Sequence, residues 1–181
     1  MFKLIAAGLL CACLAVAQSP KYGVGSAAGE SQIKTMNITI LPDGTGLPPG
    51  SGTVAQGQDV YSRRCARCHG QNLEGAEQGA ALIGGAGSLT SEKPKKTVIS
   101  YWPYATTIYD YVNRAMPFNQ PGLLTADQVY AVTAFILHKG GVIQEGEVMN
   151  AQTLPKVQMP NRDGFIPDDR PDVGPKKTSK K

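Results

Sequence analysis

The sequence is poor in cysteine. Its 181 residues include four cysteines: Cys11 and Cys13 near the start, and Cys65 and Cys68 three residues apart in the interior of the sequence. Exported proteins that are stabilised by disulfides carry several spaced cysteine pairs, and beyond its first 13 residues this chain has only the central pair. This scarcity excludes a disulfide framework. The fold must therefore be stabilised by an apolar core, by a cofactor, or by both.

The sequence also lacks a long hydrophobic run. Its longest apolar stretch lies within residues 1–17, MFKLIAAGLLCACLAVA, which begin with one lysine and end in an A-x-A pattern. A membrane-spanning helix needs roughly 20 apolar residues, so the stretch predicts a secretory signal peptide that is cleaved after Ala17. The mature protein is then expected in the periplasm without a membrane span. An uncleaved anchor and lipidation at Cys13 are the alternatives.

Strong charge of one sign is absent from the body of the chain. The net charge is +4, and Lys176, Lys177, Lys180 and Lys181 concentrate much of it in the last six residues. A solvated, disordered tail explains this run, and docking to an acidic partner is the functional alternative. The body has no basic stripe interleaved with aromatic residues, which excludes nucleic acid as a partner.

Composition divides the chain into four segments. The signal peptide, 1–17, precedes an extended leader arm, 18–51, in which residues 36–41 (MNITIL) have the composition of a β-strand. Residues 52–141 carry periodic apolar patterns and predict one helical domain. Residues 142–181 contain five prolines and predict an irregular tail, either disordered or laid over a surface. Four apolar residues indicate that part of this tail packs on something: Val157, Met159, Phe165 and Ile166.

The first of three helices in residues 52–141 is expected to run from Thr53 to about Arg67. Thr53 and Gln56 have the spacing of a capping box, which pairs the side chain of each residue with the backbone of the other. Gly57 leaves a gap on the apolar face of this helix, where a second helix can approach closely. The three helices together predict an all-α fold.

The second helix has Pro103 in its first turn and ends before Pro117, because a residue that precedes proline is disfavoured in helical conformation. Its predicted apolar stripe consists of Ile108, Tyr111, Val112 and Ala115. The third helix runs from Thr125, which has the capping-box spacing to Gln128, to about His138, and it ends at a pair of glycines. Nearly all of its non-capping residues are apolar, so we expect it to be buried on more than one side.

The sequence CARCH, residues 65–69, is the clearest chemical signal in the chain. A zinc site needs four ligands, and beyond this motif only His138 remains, without a paired ligand. A thioredoxin-like redox pair follows a strand in a βαβ unit, whereas this motif follows a helix. The remaining interpretation is C-x-x-C-H, in which Cys65 and Cys68 form thioethers with the two vinyl groups of one haem c and His69 ligates its iron.

The sixth iron ligand decides what such a haem does. Four residues are candidates: Met116, Met159, His138 and Met36. Met116 lies in a loop between the second and third helices, which favours it as the ligand on the opposite haem face. A histidine and a methionine together close the iron and favour electron transfer, whereas an open iron is typical of a peroxidase or a gas sensor.

Haem propionates need hydrogen-bond donors, and several lie between the motif and Met116. The candidates are Trp102, Tyr104 and Arg114, together with Tyr101. The alternative is that the aromatic residues among them simply belong to the core, where large apolar side chains with one polar atom are common.

The helix G-x-x-x-Y-x-x-x-C, the CARCH motif, Met116-Pro117 and the last helix together resemble class I cytochromes c. This resemblance implies a helical domain around one covalent haem. It also implies that Gly57 and Tyr61 of the first helix contact Val132 and Phe135 of the last one, and that His69 and Met116 are the axial ligands.

Three longer segments are similar to the cytochrome subunits of bacterial sulfite and sulfur dehydrogenases: PDGTGLPPGSGTVAQGQDVY, SYWPYATTIYDYVNRAMPF and LPKVQMPNRDGF. The resemblance implies a non-catalytic subunit that accepts electrons from a molybdenum-containing dehydrogenase and passes them to a downstream cytochrome or oxidase. The leader and the tail would then pack around the catalytic subunit. The related cytochrome of thiosulfate oxidation is longer and has a second haem. This chain has one motif, so it more closely resembles a monohaem sulfite dehydrogenase subunit or a shortened relative. A free, diffusible cytochrome is the alternative.

Overall fold

The structure, a computed structural model, describes residues 22–168 and Arg170. The predicted signal peptide, including Cys13, and the lysines from Lys176 onward lie outside the described residues. The described chain divides into two compact units between Asn37 and Ile38.

In the described part of the first unit, residues 22–37, there is one helix, α1, which spans Glu30–Met36 and buries none of its residues. The β-type run predicted over 36–41 is therefore wrong, because Met36 ends this helix and residues 37–41 form no strand. Glu30 and Lys34 are spaced i and i+4, which favours helix locally. A strand, by contrast, is stabilised mainly by pairing with a neighbour, and the described residues offer 37–41 none.

The second unit contains the other named elements of the described chain. In order they are strand β1 (Ser51–Thr53), helices α2 (Val54–Arg64), α3 (Ala66–His69), α4 (Ala105–Ala115) and α5 (Ala126–Lys139), and strand β2 (Val148–Asn150). Short 3-10 turns span Ser88–Thr90 and Leu154–Lys156. Each strand is only three residues long, and the predicted all-α class is confirmed.

Helices α2 and α5 pack together at Gly57. A Cβ atom on Gly57 would overlap the carbonyl oxygen of Ala131 and come within 2.7 Å of Phe135 Cβ. One turn further along α2, the ring of Tyr61 packs against Phe135 with ring centroids 5.2 Å apart. The close approach expected at Gly57 is confirmed, and any side chain at this position would push the two helices apart.

The capping boxes at the starts of α2 and α5 are also confirmed. Thr53 Oγ1 accepts a hydrogen bond from the Gln56 amide at 3.2 Å, and the Thr53 amide donates to Gln56 Oε1 at 2.9 Å. The corresponding distances between Thr125 and Gln128 are 3.3 and 3.0 Å. Residues 129–137 of α5 are all buried, so this helix is enclosed on more than one side as predicted.

The predicted first helix is interrupted. Helix α2 ends at Arg64, and Cys65, with φ −119°, separates it from the single turn α3. This φ lies well outside the range of a regular α-helix. The helix expected to run on to Arg67 is therefore two segments that meet at the first cysteine of the motif.

Helix α4 also differs from its prediction. It begins at Ala105 after an extended N-cap, Tyr104, so Pro103 precedes the helix and does not occupy its first turn. The buried residues of α4 are Ala105, Thr106, Ile108, Tyr109 and Val112. Tyr111, predicted on the apolar stripe, is 48% exposed and lies outside that set.

The proline-rich tail packs on its own domain over much of its length. Strand β2 pairs with β1 in antiparallel register, with Met149 opposite Gly52. Further along, Leu154, Val157 and Met159 are buried in the core. The expectation that part of the tail packs on a surface is confirmed, and that surface belongs to the same chain.

The last part of the described tail reaches the segment that precedes α4. Asn161 Nδ2 donates to the carbonyl oxygen of Tyr101 at 2.7 Å, and the Arg162 guanidinium lies 4.6 Å from the ring centroid of Tyr104. Beyond these contacts Phe165 is 50% exposed and Ile166 is 91% exposed.

Among residues 22–168, no helix combines the length and the apolar composition needed to cross a membrane.

Candidate haem-attachment site

Cys65 separates α2 from the single turn α3, and Cys68 lies within that turn. The amides of Cys68 and His69 both donate to the carbonyl oxygen of Cys65, each at 3.0 Å, which winds the motif tightly. Both cysteine side chains are half-buried, and neither forms a disulfide within the described chain. Residues three positions apart on a helix share one face, so this turn places the two thiols side by side.

His69 is oriented by a hydrogen bond from its ring. Nδ1 lies 2.7 Å from the carbonyl oxygen of Ala80. A carbonyl oxygen can only accept, so Nδ1 carries the hydrogen and donates it. The lone pair of Nε2 is then available to a metal, and a backbone carbonyl partner of this kind fixes both the tautomer and the ring orientation of a metal-binding histidine.

The loop that follows the motif folds back against it. A Cβ on Gly79 would come within 2.6 Å of the carbonyl oxygen of Cys68 and 3.1 Å of His69 Nδ1. Cys68 Sγ lies 3.7 Å from Gln78 Oε1. The 3-10 turn at Ser88–Thr90 is the one named element within residues 70–96, and Gly79 and Ala80 of this segment lie against His69.

The electrostatics of the motif do not match a reactive cysteine pair. Burial, and to a lesser degree the neighbouring Cys68, raises the pKa of the Cys65 thiol to about 11. Redox-active cysteines have lowered pKa values, because the thiolate is the nucleophile. Within the described chain no three His, Cys, Asp or Glu side chains form a metal-binding group.

The four candidate sixth ligands occupy different environments. Met116 is the C-cap of α4, extended and half-buried, and it packs against the core. Met159 is 3% exposed, within the core cluster. His138 Nδ1 lies 3.3 Å from the carbonyl oxygen of Ile143. Met36 belongs to the first unit, where it is 81% exposed.

The predicted propionate donors have partners within the chain. Trp102 packs edge-on against Tyr111, with ring centroids 5.6 Å apart. The ring of Tyr104 lies under the Arg162 guanidinium. Arg114 Nε donates to both carboxylate oxygens of Asp110 at 2.9 Å.

That Asp110 carboxylate also accepts from the Ile40 amide at 3.0 Å. Arg114 and Asp110 therefore form a structural pair that ties α4 to the chain entering the domain. If Arg114 also donated a hydrogen bond to a haem propionate, it would do so in addition to its pairing with Asp110.

Two contributors to the site were missed in the sequence. Tyr61 was predicted only as an aromatic contact between helices, but its hydroxyl also donates to the Gly70 carbonyl oxygen at 2.7 Å. A buried tyrosine usually finds a hydrogen-bond partner, so the residue type carried a signal. Ala80 acts through its backbone carbonyl, and no side-chain pattern can reveal that.

The residues present fit a covalently bound haem. Two thiols lie three residues apart beside an imidazole whose Nε2 is free. Cys65 packs against the hydrophobic core, and so do the partly buried apolar side chains of Leu82, Ile83, Val98 and Trp102. A family model for cytochrome c matches residues 54–140, the segment that contains this arrangement.

A solved structure gives a more specific match than the family model does. In the crystal structure of the sulfane dehydrogenase SoxCD from Paracoccus pantotrophus, one chain is 45% identical to this one with a TM-score of 0.76. The match covers 83% of this chain and 74% of that chain. The protein therefore belongs to the cytochrome c family: it carries covalently bound haem c, its C-x-x-C-H motif fits the attachment of that haem, and its function is electron transfer.

Proposed function

We propose that this chain is the haem-bearing, non-catalytic subunit of a periplasmic dehydrogenase of sulfur compounds. It would accept single electrons from a molybdenum-containing catalytic subunit and pass them to a downstream cytochrome or oxidase. The observation that supports this most is the 45% identity, over 83% of the chain, to a chain of the sulfane dehydrogenase SoxCD. Similarity of that extent includes the irregular segments outside the helical domain.

We further propose that His69 and Met116 are the axial ligands. His69 is supported by its free Nε2 and by the 2.7 Å bond from Nδ1 to Ala80. Met116 is supported by its half-buried position at the end of α4, whereas Met159 is already enclosed by core side chains. Ligation by nitrogen and thioether sulfur raises the reduction potential of a haem relative to two histidines.

The haem supplies the one-electron chemistry, and the chain controls its surroundings. Cys65 and Cys68 would hold the porphyrin in place, and the 70–96 loop would orient the histidine and limit access of water. Trp102, Tyr104 and Arg114 would lie beside the propionates. With both axial positions filled, the iron would have no site for a substrate, and the chain itself would oxidise nothing but its redox partner.

The experiment that tests this proposal is to purify the protein from its native source and identify the proteins that co-purify with it. We expect a molybdenum-containing dehydrogenase to co-purify, and the haem to be reduced when sulfite or another reduced sulfur compound is added. A variant with Cys65 and Cys68 both replaced by Ala is the control, because it cannot hold the haem covalently. No reduction in the presence of any co-purifying dehydrogenase would contradict the proposal.

One observation favours a free, diffusible cytochrome as the second candidate. Leu154, Val157 and Met159 are buried in the chain's own core, so these tail residues do not need a partner to cover them. Gel filtration of a native extract separates the two proposals. A haem signal that elutes at the size of this chain alone favours the diffusible form.

A further inference from the structure

The hydroxyl of Tyr61 connects the helix crossing to the turn that carries His69. Tyr61 is 1% exposed, and its ring packs on Phe135 of α5. Its hydroxyl donates to the carbonyl oxygen of Gly70, the residue that directly follows His69, at 2.7 Å. Packing against Phe135 needs only an aromatic ring, so the hydroxyl is an addition that phenylalanine would not supply.

His69 is thereby held from three directions. Its ring donates to the Ala80 carbonyl at 2.7 Å, its own carbonyl accepts from the Gly75 amide at 2.8 Å, and the next carbonyl accepts from Tyr61. The ring bond and the Gly75 bond both come from the loop on the C-terminal side of the motif. Tyr61 supplies the restraint that comes from helix α2.

The turn at Gly70 leaves little room for adjustment. Gly70 has φ +81°, which favours glycine, and a Cβ there would overlap the Glu74 carboxylate and lie 2.9 Å from the Gly75 carbonyl oxygen. The carboxylate of Glu74 in turn accepts from the Asn72 amide at 2.7 Å. The backbone after His69 is therefore closely packed, and its orientation depends on how the Gly70 carbonyl is held.

We propose that Tyr61 is a positioning residue for the axial histidine, acting through the hydrogen bond from its hydroxyl to Gly70. The inference rests on the proposed role of His69 as an iron ligand. Without the hydroxyl, the turn after His69 loses its restraint from α2, and the bond from Nδ1 to Ala80 lengthens. A weaker hydrogen bond from Nδ1–H to the carbonyl makes the imidazole a poorer electron donor to ferric iron. The ferric state is then less stabilised, so the reduction potential of the haem rises.

The test compares two matched tyrosines. Tyr61→Phe removes the bond to Gly70, and Tyr130→Phe removes an equally buried bond from a tyrosine hydroxyl to the Pro48 carbonyl oxygen at 2.9 Å. We expect Tyr61→Phe to shift the midpoint potential upward and to move the hyperfine-shifted NMR signals of His69. Tyr130→Phe should lower stability to a similar extent and leave both readouts at the parent values.

Equal potentials and equal His69 signals in the parent and Tyr61→Phe would overturn the inference, and so would equal shifts in both variants. If Tyr61→Phe yields no mature protein, the parent itself provides the test. In its reduced, diamagnetic form the Tyr61 hydroxyl proton should exchange slowly with solvent, and rapid exchange would overturn the inference.

A parent protein without a histidine-ligated haem spectrum would refute the ligand assignment and this inference together. A normal parent spectrum with an unshifted Tyr61→Phe refutes the inference alone. Neither measurement requires the dehydrogenase, so the outcome is independent of which partner the protein has.

Discussion

Gly57 lies directly against the backbone of Ala131, so that the Ala131 carbonyl oxygen occupies the space a side chain at position 57 would fill. This contact sets the approach of α2 to α5. Because α2 leads directly into the haem-attachment motif, the same contact determines where Cys65 and His69 stand relative to the core.

Replacing Gly57 tests that relationship. Gly57→Ala should lower the free energy of unfolding by about 1–3 kcal/mol, because the added methyl group forces two packed helices apart. Guanidinium denaturation followed by helical circular dichroism measures the change. Gly146→Ala is the matched control, since a Cβ there meets nothing within 4 Å, and its stability should stay within about 0.5 kcal/mol of the parent. Equal stabilities in both variants would contradict the packing argument.

The identity of the sixth ligand is tested by two methionine variants. Met116→Ala should alter the absorption spectrum, lower the midpoint potential and open the iron to added imidazole, because the thioether ligand is lost. Met159→Ala should instead lower the free energy of unfolding by about 2–5 kcal/mol through the cavity it leaves, with an unchanged spectrum. The reverse pattern would make Met159 the ligand. Unchanged spectra in both variants would favour an open iron.

Two truncations separate the packed part of the tail from its exposed end. Ending the chain after Glu147 removes four buried apolar side chains, those of Met149, Leu154, Val157 and Met159, and at about 1.5–3 kcal/mol for each the loss should be roughly 6–12 kcal/mol. Ending it after Phe165, whose ring packs edge-on against Tyr101 with centroids 5.3 Å apart, removes the exposed Ile166 and should leave stability near the parent value. Thermal denaturation measures both, and similar melting temperatures for the two truncations would refute this division of the tail.

Stability should fall at alkaline pH because of three buried tyrosines. Burial raises the pKa values of Tyr61, Tyr109 and Tyr130 above their usual value, in Tyr130 to about 12. An unfolded tyrosine ionises near pH 10, so between about pH 10 and 12 unfolding releases a proton that the folded state retains. The contribution is therefore complete below about pH 10. Above it the free energy of unfolding should fall by about 1.4 kcal/mol per pH unit for each tyrosine.

Guanidinium denaturation at pH 9, 10 and 11 measures this slope. Tyr130→Phe should reduce it by the contribution of one proton, because phenylalanine does not ionise. A free energy of unfolding that stays constant across this range would show that the folded state accommodates the phenolates.

The haem motif and the helix caps could be predicted because their causes are local. C-x-x-C-H places two thiols and an imidazole on adjacent positions of one turn whatever the remainder of the chain does. The boxes at Thr53–Gln56 and Thr125–Gln128 likewise depend on residues three apart, and the structure has both. The glycine at 57 signalled a close approach because no other residue leaves such a gap.

Local reasoning failed where distant contacts decide the conformation. Residues 36–41 have strand-like composition, but the described residues provide no strand beside them. Val148–Asn150 were not predicted as a strand, yet they form one because β1 lies next to them. The face of α4 was misjudged at Tyr111 for a similar reason. Which side of a helix is buried depends on its neighbours, and α4 turns Tyr109 inward against Tyr130.

By itself, then, the sequence determined the cofactor and the helical class, and it marked a motif that fits haem attachment, since each follows from residue types a few positions apart. Only the tertiary structure decided how His69 is oriented, through the Ala80 carbonyl eleven residues away, and where the tail lies. Backbone carbonyls are the same at every position, so a sequence cannot mark which of them will meet a given imidazole or amide. That choice is made when the chain packs.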